Sequence, residues 1–148
     1  MRDWDAWVRE CLDLPVMTDR RDLRAIGELA AHLEETWREA RARGAIDRGT
    51  VDPAEGVDGA DLVVLAVPPE QVVPVARRVV PHLRAGTLLT DVASVKAEIV
   101  RSIEALIEPQ RRTAFVGGHP RAGNEGQGIA AAEPGLFEGT VYLVTPTP

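Results

Sequence analysis

The chain has 148 residues, 45% of them hydrophobic, 27% charged and 4% aromatic, which suits one folded globular domain and excludes a disordered or fibrous chain. Its formal charge of −6, without a block of basic residues, argues against nucleic acid or a membrane surface as partner. Cys11 is the single cysteine, too few for an internal disulfide or a cysteine zinc site, and the charged start MRDWDAWVRE lacks a signal-peptide core, so a cytoplasmic location is expected.

In the first part of the chain, Leu23, Ile26, Leu29, Leu33, Trp37 and Ala40 recur at helical spacing. They predict one long amphipathic helix from near Asp19 to just before Gly44. All three tryptophans, Trp4, Trp7 and Trp37, belong to this part. Residues 44–59, with Pro53 and several acidic side chains, read as a connecting loop, and Asp52, Glu55, Asp58 and Asp61 as a solvated charge cluster.

From Asp61 onward short apolar runs alternate with helical spacing. Residues 62–67 are apolar and β-branched and stop at Pro68-Pro69, the pattern of a strand buried on both faces. Val72, Val75, Ala76, Val79 and Leu83 then trace a helix whose first turn suits Pro69 and Glu70, while Pro74 is expected to delay or kink it. Residues 87–92 predict a second strand. Ser94 reads as the N-cap of a second helix bearing Val95, Ile99, Ile103, Leu106 and Ile107, which Pro109 stops. Residues 113–116 and 141–144 predict two further strands. This alternation predicts an α/β fold, a doubly wound parallel sheet with right-handed crossovers.

Two segments carry chemical signals, each at the carboxyl end of a predicted strand, where open α/β sheets bind ligands. Residues 117–128 hold five glycines around His119, a candidate proton acceptor. A loop histidine that only meets water explains the same residue. In Asp91-Val92-Ala93-Ser94-Val95-Lys96, the serine suits a cap, and a helix amino terminus with Lys96 beside it also suits an anionic group. His32 and His82 need no more than surface roles, and no metal-ligand spacing occurs. The dinucleotide fingerprint G-x-G-x-x-G is absent from the sequence; Gly123, Gly126 and Gly128 have its spacings reversed.

Five segments together resemble the prephenate/arogenate dehydrogenase family of tyrosine biosynthesis. They are Ala60-Asp61 through Val67-Pro68, Thr90-Asp91-Val92-Ala93-Ser94-Val95-Lys96, Gly118-His119-Pro120-Arg121-Ala122-Gly123-Asn124-Glu125 through Gly128, Leu136-Phe137-Glu138-Gly139, and Leu143-Val144-Thr145-Pro146. The combination of D-x-x-S-V-K with G-G-H-P-x-A-G is specific, and the resemblance runs from about residues 39–47 to the end. It implies a nicotinamide-dependent oxidative decarboxylation with NAD or NADP as cofactor and prephenate or arogenate as substrate. It further implies that His119 accepts the substrate hydroxyl proton and that Ser94 bonds the same hydroxyl. Glu125 would stand at the substrate entrance, and Asn124, which replaces a hydroxyl residue, and Lys96 would bind substrate; Pro68, Asp91 and Val92 would line the nicotinamide side.

Against the family pattern, the sequence is expected to lack the first glycine-rich strand-turn-helix unit and the C-terminal helical dimerisation domain with its substrate arginine, for which Arg121 would partly substitute. The expectation is therefore one partial Rossmann-like dinucleotide-binding domain over residues 1–148, truncated at both ends. It comprises a divergent helical part at 1–44 and a family-like sheet and site at 60–148. The alternative is a catalytically inactive remnant or binding module, associating with another chain or with its own copies through exposed Trp4, Trp7 and Trp37. A dehydrogenase acting on another hydroxy acid, without loss of carbon dioxide, is a third reading.

Overall fold

The computed structural model describes residues 3, 6, 8, 20–107, 113–123, 126 and 129–145, with backbone alone for residues 20–23 and 25. The chain divides into two units, residues 1–51 with 127–130, and residues 52–126 with 131–148.

In the first unit, helix α1 spans Arg20–Ala42, close to the predicted bounds. Its inward stripe is Ile26, Ala30 and Ala40, with Leu33 and Trp37 half-buried between them, so the small Ala30 takes part where Leu29, 39% exposed, does not. Gly44 follows at φ 67, a conformation that favours glycine, and Ala45 N donates to Ala40 O at 2.9 Å to close the helix. The Trp37 ring lies 5.3 Å under the Arg41 guanidinium, and a Cβ on Gly49 would come within 3.1 Å of its Nε1. Trp37 is therefore half-covered, while Trp4 and Trp7 lie outside the described residues.

The second unit begins with a short helix, α2, at Pro53–Val57, inside what the sequence suggested was only loop. Asp52 caps it, its Oδ1 accepting from Ala54 N at 2.9 Å, and Pro53 occupies a first-turn position where no amide is needed. The other acidic residues of this stretch are exposed, and Asp61 pairs with Arg84.

Strand β1 (Leu62–Leu65), helix α3 (Pro69–Val79), strand β2 (Leu88–Asp91), helix α4 (Ala97–Ile107) and strand β3 (Ala114–Pro120) follow as two successive crossovers. Strand β4 (Tyr142–Thr145) completes a sheet of order β1-β2-β3-β4. The first three strands are parallel, with Leu65 beside Asp91 and Asp91 beside Gly117; β4 runs antiparallel to β3 as an edge. The result is a partial Rossmann-like α/β sheet of mixed direction. Pro74 sits inside α3 without delaying its start, and a 3-10 turn at Val80–His82 ends that element.

Because both crossovers step the same way along the sheet, right-handed connections put α3 and α4 on one face. Val63, Leu65, Leu89 and Phe115 on that face form the core with Val72, Ala76, Val79, Ile99 and Ile103. The opposite face leaves Leu62 and Val64 54% and 48% exposed. Strand β1 is thus buried on one face, correcting the two-sided burial suggested by its uninterrupted apolar run.

Strand β3 also runs longer than expected. Pairing with β4, in register Gly117 to Thr145 and Pro120 to Tyr142, carries it through Gly-Gly-His-Pro, so His119 lies on a strand and not in a loop.

Candidate active site

The carboxyl ends of β2 and β3 meet around Asp91, whose side chain is fully buried. Three groups satisfy its carboxylate. Oδ2 accepts from Ala93 N at 3.0 Å and pairs with Lys96 Nζ, and Oδ1 accepts from Gly118 N at 3.4 Å. Lys96 keeps only 15% of its side chain exposed, so the ion pair is nearly dry and its parts depend on each other.

This bridge settles how the turn between β2 and α4 is built. Helix α4 begins at Ala97, and Val100 N donates to Lys96 O at 2.8 Å, so Ser94 is not its N-cap. The Asp91 carboxylate orders the turn from within by taking the Ala93 amide and the Lys96 ammonium. Ser94 is left exposed, with its hydroxyl not needed for capping.

Side-chain alternation along β3 puts Phe115, Gly117 and His119 on the α4 face, and Val116, Gly118 and Pro120 on the other. Gly117 confirms this, since a Cβ there would meet Val100 Cγ2 at 3.1 Å and Lys96 Cδ at 3.4 Å. A Cβ on Gly118 would stand 2.0 Å from the Tyr142 hydroxyl. The two glycines make room for the protein's own side chains, a packing reason that the sequence pattern did not distinguish from a ligand's approach. His119 is half-buried at the end of this strand, opposite Leu143 in the ladder.

Tyr142 and Thr90 are site-supporting residues that sequence reasoning missed. Thr90 Oγ1 donates to Val116 O at 2.7 Å and lies 3.5 Å from the Tyr142 hydroxyl, and that hydroxyl donates to Asp91 O at 3.4 Å. Together they tie β2, β3 and β4 at the level of the candidate site. The available signal was the adjacent Gly117-Gly118 inside a strand, which marks a close approach by another group.

Pro68 is exposed at the carboxyl end of β1, where it precedes α3 and accepts from Gln71 N at 2.8 Å. Val92 is half-buried just past β2, its amide donating to Leu65 O at 3.4 Å. Pro68 and Val92 therefore flank neighbouring strand ends, whereas the Asp91 carboxylate between them is turned into the protein. Arg121 directly follows β3, its side chain exposed and its amide donating to Val141 O at 2.8 Å. Asn124 and Glu125 lie outside the described residues.

An open groove of about 810 Å³ runs between the first turns of α3 and α4, walled by Pro69, Val73, Pro74 and Val95 with Glu70, Lys96 and Glu98 at its polar positions. Among the described residues no cluster of three or more His, Cys, Asp or Glu is placed to hold a metal ion. Among the same residues no helix is long and apolar enough to cross a membrane.

A family model described as prephenate dehydrogenase, nucleotide-binding domain, matches residues 21–148. The prephenate dehydrogenase of Lactococcus lactis is 36% identical over 118 residues, which cover 79% of this chain and 33% of the relative. Among solved structures, Synechocystis arogenate dehydrogenase is similar at a TM-score of 0.68 and 34% identity, covering 76% of this chain and 38% of the other. Aquifex aeolicus prephenate dehydrogenase, solved in complex with hydroxyphenyl propionate and NAD+, is similar at a TM-score of 0.65 and 34% identity, covering 74% and 37%. The chain spans about a third of the length of the curated relatives it matches.

Proposed function

The chain belongs to the prephenate dehydrogenase family, matching its nucleotide-binding domain, and from that premise we propose that it takes part in the nicotinamide-dependent oxidative decarboxylation of prephenate or arogenate. The observation that carries the reading is the convergence of the Ser94 turn and the His119 strand at the ends of two adjacent parallel strands, joined by one buried carboxylate. In an open α/β sheet this is where a ligand crevice forms.

The residues present suit the nicotinamide end of NAD or NADP. Pro68 and Val92 offer an apolar shelf for a flat ring, and the Asp91 charge is already neutralised by Lys96, so no bare carboxylate faces that shelf. When bound, the cofactor supplies the hydride acceptor. His119 takes the substrate hydroxyl proton, which requires a neutral imidazole within hydrogen-bond reach of that oxygen. Ser94, exposed and free of a capping role, donates to or accepts from the same hydroxyl. Arg121 pairs with a substrate carboxylate through its guanidinium fork, and the family resemblance assigns substrate-binding roles to Asn124 and Glu125. Lys96 contributes through its pairing with Asp91.

The reaction is tested by the ratio of carbon dioxide released to nicotinamide reduced, with prephenate or arogenate labelled at the ring carboxylate. One-to-one release is expected. Reduction without release would mean that the hydroxyl is oxidised with the ring carboxylate retained, and would contradict the oxidative decarboxylation.

A further inference from the structure

We infer that Asp91 is a positioning residue that locks the His119 strand to the Ser94 turn; the inference rests on the reading of those two residues as the reacting pair. Three observations carry it. First, the β2–β3 ladder ends at the pair Asp91 and Gly117, after which residues 92–96 turn away toward α4. The Gly118 amide would lose its β2 partner at that point, and Asp91 Oδ1 takes the place of the next ladder carbonyl. Second, the other oxygen of the same carboxylate holds the Ala93 amide and the Lys96 ammonium, on both sides of Ser94 in sequence. Third, the carboxylate is fully buried, so water does not compete for these contacts.

Gly118 immediately precedes His119, and Ala93 immediately precedes Ser94. A single rigid group therefore fixes the backbone one residue ahead of each reacting side chain. Proton transfer from a hydroxyl held by Ser94 to His119 depends on their relative placement, and small displacements at such a site are costly to rate. Two further contacts make the bridge stiff. The Lys96 side chain lies against Gly117, where a Cβ would meet its Cδ at 3.4 Å, and the Tyr142 hydroxyl reaches the Asp91 carbonyl on the opposite face at 3.4 Å. Asp91 thereby acts through backbone geometry and makes no contact with substrate.

The test uses the full chain, isotopically labelled, as wild type, Asp91→Asn, the double variant Asp91→Asn with Lys96→Met, and the core variant Ile103→Val as a control for general loosening. Loss of the charged acceptor is expected to speed hydrogen exchange at the Gly118 amide by roughly tenfold relative to the control. It is also expected to displace the His119 imidazole resonances, while Ile103→Val leaves those resonances at their wild-type positions. If Lys96 without a counter-charge prevents Asp91→Asn from folding, the double variant, which removes both charges, carries the same two measurements. A folded Asp91 variant with Gly118 exchange and His119 resonances unchanged relative to the control would overturn the inference. Nicotinamide reduction by the wild-type chain reports separately on the catalytic reading. Where it occurs, the Asp91 variants are expected to lose kcat with KM little changed; where it is absent, the resonances still decide whether Asp91 holds His119 in place.

Discussion

The hydroxyl of Tyr142 occupies the space that a side chain on Gly118 would need, 2.0 Å from where its Cβ would stand. One glycine and one tyrosine thus set how closely β4 approaches β3, directly beside His119. Gly118→Ala is expected to force Tyr142 aside and destabilise the fold by about 1–3 kcal/mol, the usual range for overpacking. In a Tyr142→Ala background the same change is expected to cost much less, and a double-mutant cycle read by denaturant unfolding measures the difference.

The buried pair of Asp91 and Lys96 makes a second prediction. Lys96→Met strands a carboxylate that is fully buried, at an expected cost of about 3 kcal/mol or more. Adding Asp91→Asn should recover most of that loss, because a buried amide is far cheaper than an unpaired buried charge. Equal destabilisation of the single and double variants would show that the cost comes from lost packing.

Ser94 separates capping from chemistry. Ala in place of a true N-cap costs about 1 kcal/mol, but the helix begins at Ala97, so Ser94→Ala is expected to change stability by less than about 0.5 kcal/mol. Its expected effect is on kcat, lowered by roughly tenfold through loss of one hydrogen bond to the reacting hydroxyl. Thermal unfolding and steady-state kinetics on the same variant check both halves.

One-sided burial of the sheet is tested by a matched pair of truncations. Leu89 is fully buried beneath the helices, and Leu89→Ala is expected to cost about 2–5 kcal/mol. Val64, 48% exposed on the opposite face, is expected to cost less than about 1 kcal/mol when changed to Ala. Similar losses at both positions would mean that the second face is covered as well.

Most elements were legible in the sequence because their patterns are local. Helix α1 shows its spacing over about five turns, and β1 announces itself by Leu-Val-Val-Leu before two prolines. The same run concealed which face was buried, since an apolar strand looks alike whether one side or both are covered. Helix α2 was missed although Asp52-Pro53 is a start signal, because the glycines around it outweighed five helical residues. The extension of β3 through Gly117 and Gly118 could not be read locally, for glycine is a poor strand former and the pairing comes from β4, more than twenty residues away in sequence. At the site, His119 and Ser94 stand out by residue type and motif. Asp91 stands out there only as the first residue of D-x-x-S-V-K, expected to line the nicotinamide side; its bridge to Gly118 could not be read, because it spans 27 residues of sequence and exists only once β2 and β3 lie side by side.

In the proposed reaction His119 is the proton acceptor of a nicotinamide-dependent oxidation. The most direct measurement incubates the purified chain with prephenate or arogenate and NAD or NADP, and follows reduced nicotinamide for wild type and His119→Asn. Reduction by the wild type is expected, with a fall of roughly a hundredfold to ten-thousandfold in the variant. No reduction by folded wild type, or equal rates in both, would contradict it, the first outcome pointing to a binding module and the second to a different proton acceptor.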